Sequence, residues 1–214
     1  MGIPATTISR AQQGEDTRRS ILRLAVDLAS RRGLASLTIG DLAKELGMSK
    51  SGLFAHFGSK EDLQVATIES AEKMFGHAII QPAFTAPAGI ARLAALTEGY
   101  IRYLEESIFS GGCFFAAVAA EFDDQPGRVR DRIALSMKKW SDMIELEVRN
   151  GIAVGEVDPS VEPAQLTFEL KAMTHEANFG RRLMNDPQSF ARARQAMRSA
   201  ISSASTDLGR SLLR

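Results

Sequence analysis

Residues Thr38 to Phe57 read TIGDLAKELGMSKSGLFAHF, and few folds accommodate two helical patterns this short and this close together. Thr38 is a capping residue with Asp41 three positions on, a relative of the capping box, and opens a helix that runs to Leu46. Gly47 suits the left-handed conformation that ends a helix. Ser49 then caps a second helix through about His56. Leu42, Ala43 and Leu46 mark the inner face of the first helix, Leu53 and Phe57 that of the second, and Met48 pins the turn between them. A helix, a tight turn with Gly and a second short helix make a helix-turn-helix. The second helix of that motif offers its first residues to base edges in the major groove. Here those residues are Ser49, Lys50, Ser51 and Gly52, small enough for close backbone approach.

The remainder also reads as helix. Thr17 to Arg32 places Ile21, Leu22, Ala25, Leu28 and Ala29 on one face, with Asp16 or Thr17 as cap and Gly33 as stop. Further helical patterns cover about residues 60–80, stopping before Pro82, and then 87–107, 113–122, 129–150, 162–184 and 188–205. Gly111-Gly112, DDQPG at 123–127, GEVDPSVEP at 155–163 and Asn185-Asp186-Pro187 separate them as loops. No strand, internal repeat or low-complexity tract stands out. The expected fold is all-α: a flexible arm over 1–15, a three-helix DNA-binding module over 16–62, and a larger helical domain over 63–214 for effector binding and dimerisation.

Hydrophobic residues make up 44% of the chain, enough for a full core without disulfides, and the single Cys113 forbids an intramolecular one. That fits a reducing cytosol, and no apolar run approaches a membrane span, so a cytoplasmic protein without a membrane partner is expected. Net charge is zero, but residues 1–60 hold nine Lys/Arg against five Asp/Glu, and the rest hold seventeen against twenty-one. A basic end can meet phosphate while the acidic remainder stays off it, although chance gives splits of this size.

The first helix ending in Arg31-Arg32-Gly33, followed by LTIGDLAKELGMSKSGLFAHFGSKEDL from Leu37 to Leu63, resembles the TetR family of transcription regulators. Gly47, Ser49, Lys50, Leu53-Phe54, His56-Phe57 and Lys60 carry the resemblance, which is specific over about residues 16–65. The resemblance implies a homodimer whose two recognition helices read a near-palindromic double-stranded operator. It makes Thr38 and Lys60 phosphate contacts, Ser49, Lys50 and Ser51 base or phosphate contacts, and His56 a backbone contact. The family usually carries Tyr where this chain has Phe54, so a phosphate bond from that hydroxyl is not carried over. A repressor released from its operator by a small apolar or aromatic ligand is the leading expectation. An activator and a ligand-independent architectural DNA protein are the alternatives.

The middle helices supply Phe75, Phe114, Phe115, Trp140 and Met143 as candidate walls for an effector of unknown identity, with Tyr100, Tyr103 or Ser136 as polar anchors. Plain core is the alternative for each. Phe84 belongs to the same group. Leu166, Leu170, Met173, Ala193, Met197 and Ile201, on the last two long helices, are the candidate dimer face. Cys113 beside Phe114 and Phe115 reads as a buried, inert thiol rather than a redox sensor. His77 and His175 lack neighbours at metal-ligand spacing, and no catalytic constellation or cofactor loop is evident. Glu121, Asp123 and Asp124 are expected to cap the helix starting near Val129.

Overall fold

A computed structural model describes residues 10–213, which form a succession of helices with one isolated β-bridge between Val157 and Ser205. Helix α1 (Arg10–Arg32) begins earlier than the expected cap at Asp16 or Thr17. Its first turns are polar all round, so no apolar period marked them. Thr17 donates back to the Gln13 carbonyl at 2.8 Å, as a hydroxyl inside a helix does. The described part of the expected arm, Arg10–Glu15, is therefore helical; residues 1–9 lie outside the described residues.

Helices α2 (Ile39–Glu45) and α3 (Lys50–Phe57) complete the module. Ile21, Ala25, Leu28, Leu42, Leu53 and Phe57 are buried in its core, and Gly47 ends α2 at φ +63°. Helix α4 (Lys60–Phe75) continues through a π-helical turn (Gly76–Ile80) into α5 (Gln81–Ala83), instead of stopping before Pro82. The wide turn closes with the Gln81 N–H donating to Gly76 O. Pro82 then falls in the first turn of α5, where no N–H is needed.

The larger domain adds α6 (Ile90–Glu105), α7 (Phe114–Phe122), α8 (Arg128–Ala153), α9 (Pro163–Arg182), α10 (Ser189–Ala204) and α11 (Asp207–Ser211). The start of α6 is set by tertiary contacts. Buried Glu147 on α8 accepts the Gly89 N–H at 2.8 Å and pairs with Arg92 at 3.3 Å, while Glu156 accepts the Ile90 N–H at 2.9 Å. Two carboxylates thus meet the positive end of the helix dipole. The short α11 follows a cap at Thr206 and was not anticipated from the sequence.

Helices α9 and α10 pack on each other and on α6. This packing corrects the expected dimer face. Leu166, Leu170, Ala193, Met197 and Ile201 are buried in the subunit's own core, and Met173 is half-buried against it. The same apolar period serves to hold α9 and α10 to the rest of the domain. What α9 leaves outside is a different stripe, with Phe168 67%, Phe179 50% and Leu183 65% exposed.

Helix α1 meets the larger domain at the loop before α7. A Cβ on Gly111 would stand 2.0 Å from the Ser30 carbonyl oxygen, so only glycine allows this approach. Gly111→Ala is expected to cost about 2 kcal/mol or more, since backbone must move on both sides. For a chain of this length that lowers the thermal midpoint by roughly 4–8 °C, which differential scanning calorimetry would read.

Candidate nucleic-acid interface and ligand cavity

Three helix N-termini are capped by hydroxyl residues in the module. Thr38 Oγ1 accepts the Asp41 N–H at 3.0 Å and donates to the Asp41 carboxylate at 2.7 Å. Ser49 Oγ accepts the Gly52 N–H at 3.0 Å, and Ser59 Oγ accepts the Asp62 N–H at 3.0 Å. The caps fix where α2, α3 and α4 start, and with them the free N–H groups available to phosphate. Thr38, Ser49, Lys50, Ser51 and Lys60 are exposed, whereas Gly52 and His56 are half-buried. The Lys50 side chain lies alongside Gly40: a Cβ there would be 3.3 Å from its Cε. Lys60 Nζ donates to the Ala35 carbonyl at 2.7 Å and retains two further protons for an anion. Phe54, half exposed on α3, presents an apolar ring where a hydroxyl was not expected.

Arg18, a residue the sequence did not single out, positions the second helix of the motif. Its guanidinium donates to His56 O at 2.7 Å and lies over the Phe57 ring at 4.5 Å. The arginine therefore ties α1 to the last turn of α3, where a cation suits the carbonyl end of the helix. Nothing in the local pattern marks this, because the partners are 38 residues apart.

The loop between α1 and α2 is held from the larger domain. Glu121 on α7 accepts the Leu34 N–H at 2.6 Å and the Ala35 N–H at 3.3 Å, so it does not cap α8 as expected. Gln64 on α4 donates to Leu34 O at 3.0 Å. Asp27 on α1 accepts both the N–H (2.9 Å) and the hydroxyl (2.6 Å) of Ser110. Arg128 at the head of α8 reaches Glu61 at 3.0 Å and Asp62 at 3.1 Å. Burial pushes the Asp27 carboxyl up, but the two Ser110 bonds and Arg31 hold it below its usual 3.8.

A cavity of about 250 Å³ lies among α4, α6, α7, α8 and α9. Of the expected lining, Phe75, Tyr100, Phe115, Trp140, Met143 and Ser136 face it. Tyr103 and Phe114 do not: both are buried behind the wall, where the Tyr103 hydroxyl accepts the Phe114 N–H at 3.4 Å. Phe84 is elsewhere, exposed beneath the Arg92 guanidinium. Phe75 is the hub of the ring cluster, with centroids 5.8 Å from Tyr100, 5.5 Å from Tyr103, 5.9 Å from Phe115 and 5.1 Å from Trp140. Cys113 is buried at the edge of the wall and accepts the Tyr100 hydroxyl at 3.1 Å. Burial, and then the neighbouring thiol, push the Tyr100 hydroxyl well above its usual range, so it stays a proton donor.

Tyr100 and Ser136 were expected polar anchors, but the sequence missed the charged side of this cavity. Glu72 and Lys139 line it, and α9 contributes Lys171, Thr174 and His175. Their spacing, i, i+3 and i+4, was legible as one helical face. Desolvation, and next the Lys171 charge, lower the His175 imidazole below its usual 6.5. His77, exposed like His175, bonds Gln81 at 2.8 Å. Among the described residues no group of three or more His, Cys, Asp or Glu is placed to hold a metal ion, and no helix is long and apolar enough to cross a membrane.

Sequence profiles match in two places. Residues 21–67 match bacterial regulatory proteins of the tetR family, and residues 89–197 match the tetracyclin repressor-like C-terminal domain. The HTH-type transcriptional regulator AcrR of Shigella flexneri is 30% identical over 97 residues, 45% of this chain and 44% of that protein. The alignment thus spans less than half the length of that curated relative. The crystal structure of a TetR transcriptional regulator from Chloroflexus aurantiacus superposes with a TM-score of 0.83 at 25% identity, covering 91% of this chain and 98% of the other. AibR, solved in complex with isovaleryl coenzyme A and operator DNA, shares the fold with a TM-score of 0.67 at 19% identity, covering 87% of this chain and 96% of that one.

The Asp27–Ser110 contact between the two parts of the molecule has a pH signature. A carboxylate held below its unfolded value stabilises the fold at higher pH and loses that contribution as pH falls through the folded value. Asp27→Asn should lower the thermal midpoint by a constant amount above about pH 5, with the gap to the unmodified protein closing as pH drops towards about 2. Unfolding followed by circular dichroism across that range checks this.

Proposed function

The chain belongs to the TetR family of transcriptional regulators, and from that premise we propose that it is a repressor which a small molecule in the α4–α9 cavity releases from its operator. One observation carries this reading: α4 runs from the helix-turn-helix module to the cavity wall, and so joins the two candidate sites. Lys60 opens the helix on the DNA-facing surface, and Glu72 and Phe75 close it in the cavity wall. Fifteen residues of helix separate the two ends by about 22 Å. A ligand that moves the Phe75 end displaces the Lys60 end as a rigid lever. Release then follows from a higher affinity of the ligand for the displaced arrangement. AibR, with both a ligand and operator DNA in the same fold, supports the pairing.

In this reading Ser49, Lys50 and Ser51 meet the major groove, and Thr38, Lys60 and the α2 and α4 N-termini hold phosphate. Arg18 keeps α3 in place. The DNA-reading unit is a homodimer, because one short recognition helix covers only a half-site. Its interface is the outer stripe of α9, Phe168, Phe179 and Leu183, and not the α9 and α10 residues buried in the subunit's own core. These large side chains recur along one face and leave an apolar surface to cover.

Lys60→Ala should weaken binding to all duplexes alike and make the log–log salt dependence shallower by about one. A genuine effector should change Trp140 fluorescence and operator affinity over the same concentration range, the latter by roughly five- to 150-fold. Binders that quench Trp140 and leave operator affinity unchanged would defeat the reading. A specificity ratio near one against random DNA would favour an architectural role instead. Phe168→Glu combined with Phe179→Glu should give folded monomers at micromolar concentration that lose operator binding. Sedimentation of the unmodified protein as a monomer would refute the dimer.

A further inference from the structure

Charge in the cavity is one-sided. Glu72 is the carboxylate of its wall, and both oxygens are engaged: one by the Arg132 guanidinium, the other by the Ser136 hydroxyl at 2.6 Å. On the α9 side Lys171 is half-buried, and its ammonium donates to the neutral Ser141 hydroxyl at 2.5 Å. Among the described residues neither Lys171 nor Lys139 has a carboxylate within 4.0 Å. An ammonium drawn partly out of water without a counter-charge is unfavourable, and an arriving anion relieves that penalty with a charge-assisted bond. The remaining wall is aromatic and aliphatic: Phe75, Phe115, Trp140 and Met143. A dry void of about 150 Å³ holds benzene. At about 250 Å³ this cavity accepts a ring with a chain of a few more atoms.

We propose that the cavity takes a small monocarboxylate with an aromatic or branched apolar body, its carboxylate held by Lys171 and its body packed against Phe75 and Trp140. This rests on the reading of the cavity as the effector site. His175 stands one helical turn beyond Lys171 and offers a ring N–H to the second carboxylate oxygen. Lys139, at the exposed mouth, adds a second positive charge on the path in.

Three probes of one shape and different charge test the inference on the full chain: 4-phenylbutyrate, 4-phenylbutanamide and 4-phenylbutylamine. Calorimetry and Trp140 fluorescence give the affinities. The butyrate should bind about tenfold or more tightly than the amide, with the amine weakest. Lys171→Met should bring the butyrate within about threefold of the amide, mainly through lost butyrate affinity, and unchanged Trp140 fluorescence of the ligand-free variant shows that the cavity has kept its shape. Lys171→Arg should keep the preference, and Lys139→Met should slow or weaken butyrate binding less than Lys171→Met does. An amide or amine that binds as tightly as the butyrate overturns the proposal. So does a butyrate preference that survives Lys171→Met, or no butyrate binding at millimolar concentration. Operator affinity measured in the same titrations separates the two readings. A Lys171-dependent butyrate preference with unchanged operator affinity upholds the ligand class and defeats release by ligand. Release by the amide as readily as by the butyrate does the opposite.

Discussion

The Phe75 ring is the contact on which the arrangement of the two halves depends. It ends the one helix that passes from the DNA-facing module into the larger domain, and it meets rings from α6, α7 and α8 edge-on. Each such pair is worth about 0.5–1.5 kcal/mol beyond the burial of its area. Taken together they orient the far end of α4 against three helices at once. The π-helical turn follows directly after Phe75, so the helix widens just where the cluster fixes it. Pi-helical turns recur beside functional sites because they aim side chains that a regular helix would not. Here Phe75 and Ile80 bracket the turn, and both reach the cavity.

Polar contacts complete what the rings begin. Glu121, Gln64 and Lys60 all bond to the Leu34–Ala35 backbone, two from α4 and one from α7. That short loop decides where α2 starts, hence where the helix-turn-helix points. Asp27 and Ser30 on α1 meet the Ser110–Gly111 backbone on the other side. The module is thereby clamped by the walls of the cavity rather than joined by a free linker. Motion at either place has a short mechanical route to the other. The exposed Lys60 ammonium bonds the Ala35 carbonyl, so the side chain that opens α4 also holds the loop before α2.

The helix-turn-helix was legible because its signals are local. Thr38, Ser49 and Ser59 cap within three residues, Gly47 turns the chain alone, and inner-face residues repeat at helical spacing. The cavity was half legible. Aromatic content located it between the right helices, yet Tyr103 and Phe114 turned inward as core while Lys171 and His175 supplied a wall. An apolar side chain carries no label for which of two apolar environments it enters. The α9 period met the same limit. It announced a buried face and left open whether the covering surface was the subunit's own core or another subunit, and the core took it.

Sequence alone determined the helical fold, the order of its elements, the DNA-reading motif and the family to which the chain belongs, since caps, stops and period act over a turn or two of chain. Tertiary structure decided what depends on partners far apart: Arg18 on His56, Glu121 on Leu34, Glu147 on Gly89, and the side chains that line the cavity. Those pairs lie 38, 87 and 58 residues apart. Only packing brings such groups within hydrogen-bond reach, and only the closed core shows which charges, such as that of Lys171, it leaves without a counter-charge.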